Sequence, residues 1–247
     1  MFIESVVVCD RYHDFLAETL PHNRLLFDKM VVVTSYEDKA TQRLCEYWNV
    51  ECVPTDRLQT RKGQFCKGAG INDGLSRLSL KGWAVHMDAD IMLPPLTRQL
   101  LERANLDPSF IYGIDRHMVP SYGDWRKFLS TPGLQQEAKV FCHTRHFEIG
   151  VRVIPECFDG YVPIGFFQLW HPETSGVRTY PEQHTSAARG DVLFAIEWPR
   201  AKRSLIPEVI CYHLESEKAP MGANWNGRAT RRFGSNAAAE ENYEFEW

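Results

Sequence analysis

The sequence has no apolar run approaching the ~20 residues that a membrane-spanning helix needs. It also has no basic segment followed by a signal-like apolar core near its start. We therefore expect a cytoplasmic chain that has no membrane partner. Strong charge of one sign is missing too, because the net charge is only −4 over 247 residues. This balance excludes a strong general attraction to nucleic acid or to anionic membranes, although it leaves room for local basic patches.

Cysteine is scarce and scattered. The seven cysteines are an odd number without a disulfide-like spacing, so we expect reduced thiols in a cytoplasm. One group contains residue types that bind zinc, namely Cys142, His143, His146 and Cys157. Its spacing fits none of the common zinc patterns, and ordinary thiols and imidazoles are therefore favoured over a zinc site.

The first half of the chain alternates between apolar strands and amphipathic helices. The predicted strands are Ile3–Cys9, Met30–Val33, Val50–Val53 and Trp83–Met87. The predicted helices are His13–Leu20, closed by Pro21, then Glu37–Trp48, Phe65–Leu80 and one beginning near Leu96. This order predicts an α/β fold with a doubly wound, mainly parallel sheet and a Rossmann-like N-terminal half. After Asp107 the alternation fades, which indicates a smaller mixed region.

Two acids follow the fourth predicted strand. Asp88 and Asp90 come directly after Trp83–Met87, and Pro94 and Pro95 then stop the segment. Residues i and i+2 of an extended backbone point to the same side, so both carboxylates could bind one divalent cation. Ligands of open α/β sheets bind at this edge, and such a cation keeps positions for substrate phosphate. The alternative is a solvated turn.

The third predicted helix begins with an unusual glycine-rich stretch, Phe65–Gly74. Each glycine costs a helix about 1 kcal/mol relative to alanine, so some compensating role is expected. Close packing of the helix on the sheet is one explanation. We favour the other, in which small residues admit a ligand while Lys67 faces a phosphate and Asn72 a sugar or base.

Three later stretches are ambiguous. Tyr112–Arg152 is rich in aromatic and basic residues, which fits either a mixed surface or a positively biased acceptor wall. Phe166, Gln168 and Trp170 alternate along a predicted strand, where they could stack on sugars or bases or belong to the core. Asp191 lies near the predicted start of a helix, either as its N-cap or as a general base.

Taken together, these features resemble a glycosyltransferase of the GT-A fold over Ile3 to about Arg228. Asp88-Ala89-Asp90 matches the family's Asp-x-Asp metal motif, and His213 matches its late metal-binding histidine. The loop Asn224–Arg228 looks like the lid over the donor diphosphate. Asp191 corresponds to the catalytic carboxylate of inverting members. The residue before it departs from the usual Glu-Asp pair, because Gly190 stands there.

The resemblance implies a metal-dependent transfer from a nucleoside-diphosphate sugar, with a UDP-sugar favoured, to an acceptor hydroxyl. Mn²⁺ or Mg²⁺ would be held by Asp88, Asp90 and His213, and Asp191 would be the base of an inverting displacement. The implied donor-binding residues are Asp10, Tyr12, Thr34, Asp38, Lys67, Asn72, Asp88, Ala89, Trp225 and Arg228. The implied acceptor-binding residues are Phe166, Gln168 and Trp170. We expect one domain over 1–247, with a nucleotide-sugar half (1–112), an acceptor-side half (113–200) and a segment 201–247 that carries the histidine, lid and tail.

The chain is most similar to small phage and bacterial glycosyltransferases, some of which modify hydroxymethylated pyrimidines in DNA. DNA is therefore one candidate acceptor, and the cytoplasm would be that of a bacterial host if the chain is phage-encoded. A glycan or another non-DNA acceptor is an alternative. Two other classes stay open, a metal-dependent nucleotidyltransferase and a non-catalytic binding module. The sugar, the choice of metal and the oligomeric state are not determined by the sequence.

Overall fold

A computed structural model of the chain describes residues 1–59, 65–119, 121–130, 151–152, 156–157, 160–182 and 187–215. The helices are α1 His13–Asn23, α2 Lys39–Tyr47, α3 Lys67–Leu75, α4 Thr97–Arg103, α5 Tyr122–Ser130, α6 Pro172–Ser175 and α7 Ala187–Ala195. The strands are β1 Ile3–Val8, β2 Lys29–Ser35, β3 Glu51–Thr55, β4 Trp83–Asp88, β5 Ile91–Met92, β6 Ile111–Val119, β7 Val151–Arg152, β8 Glu156–Cys157, β9 Gly160–Tyr161, β10 Phe167–Trp170 and β11 Arg203–Leu214.

One large sheet organises the described residues. Its strand order is β3-β2-β1-β4-β10-β6-β11-β5, and β7 pairs with β6 beside this path. Strands β1, β2, β3, β4, β6 and β11 run in one direction, whereas β5, β7 and β10 run against it. A separate hairpin joins β8 to β9. The α/β fold class with a mainly parallel, doubly wound sheet is therefore confirmed.

Helices cover both faces of the sheet, as double winding requires. The alternating side chains of β1 show this directly. Val7 packs in the cluster that contains Leu16 of α1, whereas Val6 packs on the other face with Ile71 of α3 and Phe194 of α7. Every residue of β1 and of β6 is buried, because each of these strands lies inside the sheet between two neighbours.

Some predicted helix ends are wrong. Pro21 does not close α1, which continues to Asn23 because a proline near the last turn removes one backbone donor without ending the turn. Helix α3 is shorter than predicted and ends at Leu75. Asp191 lies in the middle of α7 and not at its start, so the N-cap interpretation of Asp191 is wrong.

The glycines of α3 provide close packing, which corrects our preference for ligand approach. A Cβ on Gly74 would lie 2.5 Å from Val6 Cγ1 and 2.9 Å from Val33 Cγ2. A Cβ on Gly70 would lie 2.4 Å from Leu58 Cδ2, and one on Gly68 would clash with the Pro181 carbonyl. The glycines therefore let α3 lie directly on the sheet and on the neighbouring segment. This contact offsets their low helix propensity.

None of the helices in the described part of the chain combines the length and the apolar composition that a membrane crossing requires. The proposed division of the chain at residues 112 and 200 stays a prediction. The tail and the lid loop of the last segment lie outside the described residues.

We predict that Gly74→Ala destabilises the protein, although alanine is the better helix former. The added methyl group overlaps two valines of the sheet, and such overpacking costs about 1–3 kcal/mol. Gly123→Ala is the matched control, because its Cβ would meet only Ser121 Oγ at 3.7 Å. That variant should gain up to about 1 kcal/mol. Urea unfolding of both variants measures the difference, and equal stabilities would contradict the packing role of Gly74.

Candidate functional site

The candidate site lies where β4 ends and β5 begins. Asp88 is the last residue of β4, and Asp90 stands immediately before β5. Strand β5 pairs antiparallel with the end of β11, where His213 faces Ile91 and the Leu214 N–H donates to the Asp90 carbonyl at 2.9 Å. This pairing brings together an acid and a histidine that are far apart in sequence, as the resemblance implied.

Helix α1 fixes the turn that carries Asp90. The Thr19 hydroxyl donates to the Ala89 carbonyl at 2.7 Å. The Asn23 amide donates to the Ile91 carbonyl at 2.6 Å and accepts from the Leu93 N–H at 2.9 Å. All of these groups are buried, so the turn is held rigidly from behind. Neither Thr19 nor Asn23 was predicted, because their role appears only when α1 packs on this turn.

Asp90 and His213 form the part of the site best suited to a cation. His213 Nε2 lies 3.4 Å from Asp90 Oδ2, and both residues are buried. The other carboxylate oxygen of Asp90, Oδ1, is buried and has no hydrogen-bond partner among the described residues. A buried acceptor without a partner is costly, and a divalent cation would satisfy it. Burial raises the pKa of Asp90, but His213 and Lys67 outweigh that effect and lower it.

Asp88 is paired with a lysine side chain of the protein. Lys67, the first residue of α3, forms an ion pair with Asp88 Oδ1. Burial, together with the nearby Asp90 carboxylate, raises the pKa of Asp88 in spite of Lys67. Among the described residues, no three His, Cys, Asp or Glu side chains are already arranged to hold one metal ion. Asp90 and His213 thus offer a pair of adjacent donor side chains, whereas Asp88 is bound by Lys67.

Arg116 is a site residue that the sequence reasoning did not identify. It belongs to the stretch that fits either a mixed surface or a positively biased acceptor wall, but it lies on the buried strand β6 with only 8% of its surface exposed. Its guanidinium lies over the Phe166 ring, with Cζ 4.6 Å from the centroid, and Nη1 lies 2.8 Å from His213 Nδ1. Burial lowers the pKa of Arg116, and the carboxylates of Glu215, Asp90 and Asp88 oppose this shift.

The candidate base, Asp191, reaches the same region through the backbone of Gly165 and Phe166. Asp191 Oδ2 accepts the Gly165 N–H at 2.7 Å, and a Cβ on Gly165 would approach Asp191 Cβ to 2.9 Å. The next residue, Phe166, accepts from the Asp88 N–H at 3.3 Å and stacks on His213 with centroids 6.2 Å apart. Asp191 and the acid–histidine pair therefore flank one dipeptide.

Asn72 is placed in a structural role and not towards a ligand. Its amide donates to the Tyr180 carbonyl at 2.9 Å and to Glu182 at 2.6 Å, and its oxygen accepts from the Tyr180 N–H at 2.6 Å. These bonds tie α3 to the segment that follows α6. The donor-binding role predicted for Asn72 has no support in these contacts, whereas Lys67 of the same helix does face the site.

The residues predicted to bind the nucleoside lie close together after β1 and β2, but their polar groups form hydrogen bonds within the protein. Asp38 caps α2, accepting from the Thr41 N–H at 3.0 Å and from the Arg11 N–H at 2.6 Å, and it also accepts from Thr34 at 3.2 Å. Asp10 accepts from the Ser35 hydroxyl at 2.5 Å. Burial raises the pKa of Asp10, against the effect of that hydrogen bond.

Tyr12 directly follows this end of β1 and stacks on Phe15 of α1, with ring centroids 5.9 Å apart. The ends of β1 and β2 thus meet as expected. A nucleoside role for Asp10, Tyr12, Thr34 and Asp38 stays a prediction.

The three predicted acceptor-binding residues, Phe166, Gln168 and Trp170, do not form one surface. Gln168 and Trp170 have no exposed surface, so they lie in the core and not on a wall that an acceptor could reach. The Trp170 indole donates to the Val177 carbonyl at 3.0 Å. Phe166 precedes β10 and packs instead on Arg116 and His213. Core packing, the alternative considered from the sequence, is thus correct for Gln168 and Trp170.

Several predicted residues cannot be placed. Trp225 and Arg228 of the lid loop lie outside the described residues, as do Cys142, His143 and His146 of the possible zinc group and most of the basic stretch after Ser130. Cys157 is described only as part of β8. Ala89 lies between the two acids, 7% exposed, with its carbonyl held by Thr19.

We predict that Asn72→Ala destabilises the fold without weakening donor binding. The substitution removes three hydrogen bonds and leaves the Tyr180 backbone without partners, which costs about 1–3 kcal/mol. Ser76→Ala, at the exposed end of the same helix, is the control. Thermal melting and titration with a nucleoside diphosphate measure the two effects. Weaker nucleotide binding at unchanged stability would restore the donor role of Asn72.

Comparison with known proteins gives matches among solved structures only. No protein-family model matches the chain. No curated protein matches it either. Glucosyl-3-phosphoglycerate synthase from Mycobacterium tuberculosis, in complex with Mn²⁺, UDP-glucose and phosphoglyceric acid, has a TM-score of 0.47 and 11% identity, covering 86% of this chain and 71% of that chain. Mannosyl-3-phosphoglycerate synthase from Rubrobacter xylanophilus has a TM-score of 0.39 and 15% identity, covering 48% and 41%.

A nucleotidyl transferase from Methanothermobacter thermautotroptrophicus is also similar, with a TM-score of 0.35 and 16% identity, covering 46% of this chain and 62% of that chain. This chain therefore spans less than half of the Rubrobacter synthase and under two thirds of the nucleotidyl transferase. At these TM-scores the likenesses assign neither an activity nor a substrate to the chain.

Proposed function

We propose that the chain is a metal-dependent glycosyltransferase that moves a sugar from a nucleoside-diphosphate sugar, with a UDP-sugar as the favoured donor, to an acceptor hydroxyl. The observation that carries the proposal is the buried Asp90–His213 pair beside Asp88 and Lys67. This arrangement offers oxygen and imidazole ligands for a divalent cation, and it places a lysine where a phosphate would approach. It lies at the carboxyl end of β4, the edge of an α/β sheet where nucleotides bind.

We assign the carboxylates and the histidine to the cation, and Lys67 to the donor phosphates. Asp90 and His213 would hold Mn²⁺ or Mg²⁺ together with Asp88. When bound, the cation supplies Lewis-acid neutralisation of charge on the leaving diphosphate. Lys67 would bind a phosphate oxygen from its position beside Asp88. Lys67 is thus placed to stabilise the negative charge that develops on the leaving group.

Asp191 is proposed as the general base. Its carboxylate accepts hydrogen bonds from the N–H groups of Gly165 and Val192, which fix its orientation. It is half-buried, so it has an open side from which an acceptor hydroxyl could approach. Removal of the acceptor proton by Asp191 during a single displacement would invert the anomeric centre.

The acceptor stays the least defined part of the proposal. The resemblance to phage enzymes suggests DNA with hydroxymethylated pyrimidines. Two basic residues of the stretch after Tyr112, Arg116 and His117, are however buried in β6 and cannot form a nucleic-acid surface. Arg126 and Lys127 on α5 are exposed. A glycan or another hydroxyl compound is therefore an equal candidate.

We predict that the protein releases a nucleoside diphosphate from a sugar nucleotide in the presence of Mn²⁺ or Mg²⁺, and that Asp90→Asn abolishes the release. The substitution removes the charge that balances the cation but keeps the shape of the side chain. Asp56→Asn, at an exposed position, is the matched control. A panel of nucleotide sugars, assayed for diphosphate release at saturating metal, measures the effect.

Two outcomes of that assay would contradict the proposal. Equal activity of Asp90→Asn and the control would remove the metal site. Release of pyrophosphate from a nucleoside triphosphate and a sugar phosphate, without activity on sugar nucleotides, would identify a nucleotidyltransferase instead.

We predict that Asp191→Asn lowers turnover by about 10²–10⁴-fold, because a general base contributes that much. The melting temperature should change little, since an asparagine oxygen can still accept the Gly165 N–H. Glu197→Gln, on the exposed surface just after α7, is the control. Unchanged turnover, or a product that retains the configuration of the donor, would exclude Asp191 as the base of a single displacement.

A further inference from the structure

Gly165 lies in a tight turn directly before β10. The Phe167 N–H donates to the Ile164 carbonyl at 3.2 Å, so Gly165 and Phe166 are the two central residues of a four-residue turn. The described glycines with positive φ are Gly160 and Gly176, and Gly165 is not one of them. Its backbone conformation is therefore one that alanine can adopt, and the turn itself does not require a glycine here.

The side chain of Asp191 fills the space that a side chain at position 165 would need. The three described atoms nearest to a Cβ on Gly165 all belong to Asp191, namely Cβ at 2.9 Å, Oδ2 at 3.1 Å and Cγ at 3.3 Å. The closest of them is the first atom of the Asp191 side chain, so rotation of the carboxylate alone does not remove the overlap. A side chain at position 165 would therefore push α7 and the turn apart.

The main chain of the turn also orients the Asp191 carboxylate. The Gly165 N–H donates to Oδ2 at 2.7 Å, and the Val192 N–H donates to Oδ1 at 2.8 Å. Each carboxylate oxygen has a second lone pair that these bonds leave available. The carboxylate is thus fixed in direction and can still accept a hydrogen bond from a hydroxyl group.

Gln168 keeps the turn and α7 at one separation. Its Nε2 donates to the Pro163 carbonyl at 2.8 Å, just before the turn, and to the Asp191 carbonyl at 2.9 Å in α7. Its Oε1 accepts from the Tyr180 hydroxyl at 2.7 Å, and the side chain has no exposed surface. A shift of α7 away from the turn would break one of these bonds and leave a buried polar group without a partner.

The other side of the turn is bound to β4. The Asp88 N–H donates to the Phe166 carbonyl at 3.3 Å, and Phe167 pairs with Met87 in antiparallel register. The same turn therefore contacts one acid of the candidate cation site and the candidate base. How closely Asp191 approaches this turn sets its distance from Asp88.

We propose that Gly165 is a positioning residue for Asp191. Because position 165 has no side chain, the Asp191 carboxylate lies against the turn. The Gly165 N–H orients the carboxylate, and Gln168 keeps it in place. The inference rests on the catalytic role of Asp191 in the proposed function.

Gly165→Ala should lower turnover by about 10²-fold, because a misplacement of about 1 Å in a reacting geometry can cost that much. The assay is release of nucleoside diphosphate from the most active sugar nucleotide with Mn²⁺, with water as the acceptor. Binding of UDP in the presence of Mn²⁺, measured by calorimetry, should not change, because the overlap involves Asp191 and not the donor-binding residues. Wild-type turnover of Gly165→Ala would overturn the inference.

Gly190→Ala is the matched control, since it adds the same methyl group to the residue next to Asp191 on α7. Among the described atoms, its Cβ would meet Tyr180 Cε1 at 3.5 Å, which is an ordinary contact. This variant should turn over like the wild type. An equal loss in Gly165→Ala and Gly190→Ala would mean that any added bulk near Asp191 is harmful, which contradicts a specific role for Gly165.

A double-mutant cycle distinguishes positioning of the base from a general effect on the fold. Asp191→Asn already lacks the base, so adding Gly165→Ala to it should cause little further loss of turnover. If the two losses multiply, Gly165 acts on something other than Asp191 and the inference fails.

Thermal melting tests the same contact without activity, even if Gly165→Ala folds poorly. Asp191→Gly removes all three atoms that a Cβ on Gly165 would meet. The double variant Gly165→Ala/Asp191→Gly should therefore melt like Asp191→Gly alone. A double variant that melts well below Asp191→Gly would show that the added methyl group meets another part of the protein.

The outcomes separate this inference from the function on which it rests. Unchanged turnover of Asp191→Asn would remove the proposed base, and the positioning role with it. A slow Asp191→Asn together with a Gly165→Ala of normal turnover would remove only the role of Gly165.

Discussion

The short antiparallel pairing of β5 with the end of β11 is the interaction on which the candidate site depends. It joins the turn directly after β4 to β11, the last described strand in chain order. It also sets Asp90 against His213. Helix α1 holds the same turn from behind through Thr19 and Asn23. Because β5 has only two residues, these side-chain bonds are needed to keep the carboxylate in place. A loss at either position would move Asp90 before it unfolded the sheet.

The charges around this pairing nearly balance without a ligand. Asp88 pairs with Lys67, whereas Asp90 and Glu215 lie 3.4 and 3.6 Å from the ring nitrogens of His213. Arg116 also contacts this ring, with Nη1 2.8 Å from Nδ1. Buried charges are tolerated only when they are paired, and here the basic partners come from α3, β6 and β11.

The sequence was informative wherever the signal was local. Alternating apolar runs predicted the first four strands, and the spacing of Asp88 and Asp90 predicted the acidic edge. The sequence did not predict contacts between residues of strands that are far apart in the chain. Nothing in the segment around Arg116 distinguishes a buried strand residue from a surface base, because only the pairing of β6 with β11 turns it towards His213. Likewise, the sequence alone does not distinguish glycines that contact a ligand from glycines that pack on the sheet. The α3 glycines pack on side chains such as the valines beneath Gly74.

A chain of hydrogen-bonded polar groups connects Asp191 of α7 to helix α3. The Gln168 amide donates to the Asp191 carbonyl at 2.9 Å and accepts from the Tyr180 hydroxyl at 2.7 Å. The backbone of Tyr180 is in turn bound by Asn72 of α3, the helix that begins with Lys67. Fully satisfied networks of this kind are rigid, because breaking one bond strands a buried partner. Gln168 and Asn72, for which the resemblance implies ligand contacts, thus fix the position of Asp191 relative to Lys67.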